Sequence, residues 1–179
     1  MSIPGSPVAR SMIDRTTGVD TMIEFEHNEI HAGDHFFFTD SNELSSTNSV
    51  QYLLTTPDTT SWAHLFFQIN GTAVTSFTVH EAGDRVGSVA QTIFNNNRNS
   101  AKTATMTVHK GITGGTTDGT LLWQYASGTA TNQSQQEALT RAENELILKQ
   151  DTKYLITILS GTDGNLTNIK LNFYEHINL

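Results

Sequence analysis

Cysteine is missing altogether from this chain, and that absence removes a good deal of chemistry. No disulfide, zinc–thiolate site, iron–sulfur cluster or thiol nucleophile is possible without it. Lysine and arginine are scarce, ten in 179 residues, and no two of them are adjacent. Phosphate backbones are held by clustered cations that displace counterions, so nucleic acid is not an expected partner. Long apolar runs are lacking as well; the longest are about three residues, as at Phe36–Phe38. A membrane-spanning helix needs about 20 mostly apolar residues, so no membrane partner is expected either. Residues Met1–Arg10 do not show the charged and then apolar order of a secretion signal, and synthesis in the cytoplasm is the expectation. Neither a Gly-x-Ser-x-Gly elbow nor a lysine-bearing phosphate loop occurs. The chain is therefore expected not to be an enzyme and to need no cofactor.

What is present points to one class of fold. Threonine and asparagine together make up about a quarter of the residues. Thr is β-branched and suits a pleated, half-exposed surface, while Asn and Gly serve tight turns. A chain of 179 residues fits one domain, and at that size folding buries about 70% of the extended chain's surface, enough for a core without covalent staples. The net charge of −8 favours solubility.

Periodicity sharpens this. Residues 1–20, with Pro4, Gly5, Pro7 and a polar run from Asp14 to Asp20, show none, and read as an extended arm whose apolar anchors would be Val8, Met12 and Ile13. From residue 21 to 179 the period is two. Strands are expected at His35–Thr39, Val50–Thr55, Trp62–Ile69, Val74–Val79, Ala90–Asn95, Thr103–His109, Leu121–Tyr125, Lys153–Ile158 and Leu166–Tyr174. Asn70-Gly71 between two of them signals a hairpin turn, and the glycine-rich stretch Gly111–Gly119 reads as a flexible hairpin tip. One short helix is expected near Ser134–Ala142, where Ser134-Gln135-Gln136-Glu137 matches a capping box. About ten short strands with turn signals every 8–12 residues predict an all-β, antiparallel sandwich, jelly-roll-like.

Few residues look chemical. His27, Glu29 and His31 would share one face of a strand and could converge on a metal, with His35 beyond Gly33; the plainer reading is a solvated, histidine-rich strand and turn, and no metal site is assigned. Asp84, Asp118 and Asp163 each lie near glycine in a loop but lack the alternating acidic spacing of a calcium loop. Asn70, Asn132 and Asn165 open glycosylation sequons, read as chance matches. Trp123 and Tyr125 are either core residues or an exposed aromatic contact for a glycan or a protein partner.

The run from His35 to His80, the loop Asn95-Asn96-Asn97-Arg98-Asn99, and the segment Glu143–Lys149 followed by Tyr154-Leu155-Ile156-Thr157-Ile158 resemble a family of small virion structural proteins of tailed bacteriophages. The resemblance spans roughly residues 20–179 and is to capsid decoration (cement) proteins or head-fibre components. It implies a sandwich that assembles as a homo-oligomer, a trimer favoured, binds the major capsid protein and resides in the virion. No short motif defines the family, so no site residue is carried over. The acidic balance and the arm suit docking on an outer shell, where many weak contacts add. The alternative is a receptor- or glycan-binding module of a tail or head fibre.

Overall fold

The computed structural model describes residues 12–13, 20–21, 25–128 and 145–177. These form thirteen strands and one helix. Strands β1 (Met12–Ile13) and β2 (Asp20–Thr21) make a small antiparallel ribbon with Met12 opposite Thr21 and Ile13 opposite Asp20. Val8, and the helix expected at Ser134–Ala142, lie outside the described residues.

The helix that is described, α1 (Phe25–Ala32), stands where a histidine-rich strand was expected. Its end explains the difference. Gly33 adopts φ +80°, its N–H bonds Ile30 O at 3.1 Å, and the N–H of Asp34 bonds Glu29 O at 2.9 Å. This pair of bonds is the Schellman cap, which needs a left-handed residue just past the helix. Gly33, read as a turn into a strand, is a helix stop.

Two antiparallel sheets follow. Strands β3 (His35–Leu44), β5 (Ser61–Gly71), β8 (Phe94–Asn95), β11 (Leu146–Ile147) and β13 (Asn165–Ile177) form one, in the order β11-β5-β13-β3-β8. Strands β4 (Ser49–Thr55), β6 (Thr75–Ala82), β7 (Val86–Ala90), β9 (Thr107–Gly114), β10 (Gly119–Ser127) and β12 (Lys153–Ser160) form the other, in the order β10-β6-β12-β4-β9-β7. The chain is an all-β sandwich, as the alternation predicts. In β13, Ile169, Leu171 and Phe173 face inward with Leu65, Phe67 and Ile69 of β5; from the other sheet come Tyr52, Leu54, Phe77, Val79, Ile156 and Ile158. Phe67 meets Phe77 edge-on at 5.8 Å, and Phe38 meets Tyr52 at 5.7 Å, so aromatic pairs tie one sheet to the other.

The Asn70-Gly71 signal is corrected. No hairpin forms there, because β5 and β6 belong to different sheets and residues 72–74 carry the chain across. Asn70 instead accepts a bond from Asn168 Nδ2 at 3.0 Å. A side chain at position 71 would strike the Thr75 hydroxyl, so close approach, and not a turn, calls for the glycine. The strands expected at Ala90–Asn95 and Thr103–His109 are displaced to β7, β8 and β9, although Met106 and Val108 do point inward and Thr105 and Thr107 outward.

The six-stranded sheet must curl. Residues 83–85 join β6 to β7, which lie four places apart, about 19 Å across a flat sheet. Four Cα steps reach only about 14 Å. Residues 115–118, joining β9 to β10 over the same number of places, run beside the first connection. Asp84 accepts the N–H groups of Thr116 and Thr117 at 2.7 and 2.8 Å and the Thr116 hydroxyl at 2.9 Å, and Arg85 pairs with Asp118.

Candidate functional site

The helix divides the histidine-rich segment between two directions. His27 and His31, one turn apart, are exposed on α1 with their Nε2 atoms 2.9 Å from each other. Glu29 points the other way and is buried, which pushes its carboxyl above the ordinary range, as does the nearby Asp34 carboxylate. Asp34 is paired with Lys102 at 2.8 Å. His35, on the outward face of β3, is 1% exposed. Its Nδ1 accepts a bond from Asn96 Nδ2 at 2.6 Å, so the ring proton sits on Nε2. Burial, reinforced by the Lys170 cation, lowers its pKa to about 4.

A second cluster lies beside His35 on the outward face of the five-stranded sheet. His64 of β5 stands opposite Tyr174 of β13, itself opposite His35. His64 Nδ1 lies 2.6 Å from Glu145 Oε1, and the Tyr174 hydroxyl lies 2.7 Å from that oxygen and 3.0 Å from the same Nδ1. His64 Nε2 meets His176 Nε2 at 2.8 Å. Burial holds the His176 pKa below its ordinary value, and His64 adds to the effect. Both nitrogens of His64 are thus committed to other rings and carboxylates. The cluster ties β5 and β13 to Glu145, just ahead of β11.

Further along the same face is a shallow polar furrow lined by Thr39, Ser41, Gln68, Asn70, Asn168 and Lys170. Ser41 Oγ donates to Asn168 Oδ1 at 2.6 Å, and Asn168 passes the chain on to Asn70. Next to it Phe37 packs on Phe94 at 5.6 Å, with the Arg98 guanidinium 5.3 Å above the Phe94 ring. Sequence reasoning missed both groups. Parity along β5 and β13 gives the outward residues, but their register joins positions about a hundred residues apart.

Other expected residues are placed as follows. Trp123 and Tyr125 on β10 face inward: Trp123 meets Phe67 edge-on at 5.6 Å, and Tyr125 lies 5.8 Å from Phe77. They are half-buried at the border of the core. Asp84 and Asp118 spend their oxygens on the two crossing connections, and Asp163 accepts the Ser46 N–H at 2.7 Å. Asn165 is fully buried, with its amide nitrogen engaged by Val74 O, Thr75 Oγ1 and Ser160 Oγ, Asn70 is half-buried and accepts from Asn168 through Oδ1, and Asn132 lies outside the described residues.

The surface offers one further feature. On the two outer strands of the six-stranded sheet, Val86 and Val89 of β7 are 49% and 59% exposed, and Leu121 and Leu122 of β10 are 48% and 43% exposed. A bulge between Leu121 and Trp123 turns two consecutive leucines outward. β7 carries neither a charge nor a proline, the residues that usually guard an unpaired edge. Among the described residues no helix is long and apolar enough to cross a membrane. No family model matches the chain, and neither a curated protein nor a solved structure matches it.

Proposed function

We propose that this chain is a structural virion protein that binds the assembled capsid of a tailed bacteriophage and stabilises the head, as decoration proteins do. The observation that carries the reading is the pair of outer strands that no described strand covers, where Val86, Val89, Leu121 and Leu122 are exposed on edges able to pair with another chain. The connectivity supports it. From β3 to β6 and from β10 to β13 the chain alternates between sheets, with β3-β13-β5-β11 in one and β4-β12-β6-β10 in the other. That alternation supports the jelly-roll-like reading, an architecture common in capsid and lectin domains. The family resemblance and the acidic charge agree with it. The partners are the major capsid protein and further copies of the chain, as a trimer, and residues 1–20 serve as the docking arm.

A protein that binds the lattice and not the unfolded chain stabilises the shell by mass action. The test is its copy number in purified virions by quantitative mass spectrometry. About one copy per coat subunit, or one per few, supports decoration; absence from virions overturns the proposal. In parallel, Val89→Lys is expected to reduce self-association in sedimentation equilibrium while leaving the thermal unfolding transition intact.

One observation favours a second reading, a glycan-binding module of a fibre. The furrow of amides and hydroxyls beside Phe37 and Phe94 has the mixture of polar donors and ring faces that sugars use. A glycan array, with Asn168→Ala as the diagnostic variant, tests it; Trp123 is a poor probe because its ring packs on Phe67. A few copies per virion would favour this reading over decoration.

A further inference from the structure

We propose that the solvent face of α1 is a two-imidazole binding site for a tetragonal divalent transition metal, with Cu(II) as its preferred ion. The separation of the two ring nitrogens brings both within reach of one ion. Metal–imidazole bonds are about 2.0 Å long. Two such bonds at a right angle place the nitrogens about 2.8–2.9 Å apart, whereas a tetrahedral angle spreads them to about 3.3 Å. His27 Nε2 and His31 Nε2 stand 2.9 Å apart, with ring centroids at 4.8 Å. The 2.9 Å spacing is also that of an N–H···N hydrogen bond between the rings, and it lets both nitrogens reach one ion at adjacent corners of a square, the arrangement of Cu(II) and Ni(II) with nitrogen and oxygen ligands; copper heads the affinity order.

The scaffold beneath the pair is fixed. The cap at Gly33 closes the helix, Asn97 Nδ2 donates to His31 O at 3.2 Å, and Lys102 holds Asp34 just past the helix end. Glu29 anchors the opposite side by being buried. A site held in place in this way forfeits little ordering entropy when the ion arrives. No third histidine or carboxylate among the described residues joins the two imidazoles. The pair His64–His176 has a similar spacing of 2.8 Å, but His64 is buried beneath its neighbours and its other nitrogen is engaged by Glu145. It is the competitor that a test must separate.

The experiment is a titration of the untagged full chain with Cu(II), followed by calorimetry and by electron paramagnetic resonance with modulation analysis of the ligand nitrogens. One copper per chain with two equatorial imidazoles is expected, and His27→Ala and His31→Ala should each weaken binding at least tenfold. Both side chains are exposed, so circular dichroism and thermal melting of the variants should match the parent. Unchanged affinity in both variants overturns the proposal, since the copper is then on His64–His176 or on the terminal amine. A spectrum with fewer than two imidazoles overturns it as well.

Discussion

Asn165 shows how much one buried amide can hold. It is fully buried, accepts the N–H of Ala73 at 3.0 Å, and donates to Val74 O, Thr75 Oγ1 and Ser160 Oγ at 2.9–3.1 Å. These bonds fix the corner where the chain crosses from β5 to β6. Asn165→Ala leaves the Ala73 N–H buried and unpaired, at about 1–3 kcal/mol, and removes one bond each from Val74 O, Thr75 Oγ1 and Ser160 Oγ, which keep other partners. A loss of about 3 kcal/mol is expected in urea unfolding at unchanged m-value. His35 acts at the same scale through protons. Its folded pKa, about 4, is below the ordinary value, so the unfolded chain takes up the proton first as pH falls. The stabilisation is complete above pH 6.5 and drains away between 6.5 and about 4, an effect of roughly 3 kcal/mol at 1.4 kcal/mol per pH unit. Urea midpoints at pH 7 and pH 4.5 should therefore differ less for His35→Gln than for the parent.

At the scale of elements, a single carboxylate does what pairing does elsewhere. Residues 103–106 belong to no strand, yet Glu175 of β13 accepts the N–H groups of Thr105 and Met106 at 2.8–3.1 Å and the Thr105 hydroxyl at 2.7 Å. Glu175→Ala should raise amide hydrogen exchange at Thr105 and Met106 well above the parent, while β12 and β5 stay protected. The alternation in β6 and β13 was plain in the sequence because those strands have one face on the core and one face elsewhere. Asn70-Gly71 misled because a turn signal is local, while membership of a sheet depends on a strand that arrives about a hundred residues later. α1 escaped notice because eight residues carry little periodicity, and its clearest mark, Gly33, also suits a turn. The His64–Tyr174–His176 cluster was illegible for the same reason as the furrow: outward parity could be read, register could not.

For the molecule as a whole, the last two of the described strands are the central ones. β12 lies between β4 and β6, and β13 lies between β3 and β5, with Tyr174 opposite His35. A chain cut before Lys153 keeps the flanking strands of both sheets but loses the middle of each. It should show no cooperative transition in thermal melts monitored by near-ultraviolet circular dichroism, and a sharp transition in such a fragment would contradict this account. Contacts closed between distant parts of a chain are slow to form, because the loop entropy falls due before the contacts repay it. On the ribosome, then, the nascent chain carries Leu65, Phe67, Phe77 and Val79 uncovered until β12 and β13 have been made. Its exposure to aggregation and to chaperones is set by the time taken to make β12 and β13.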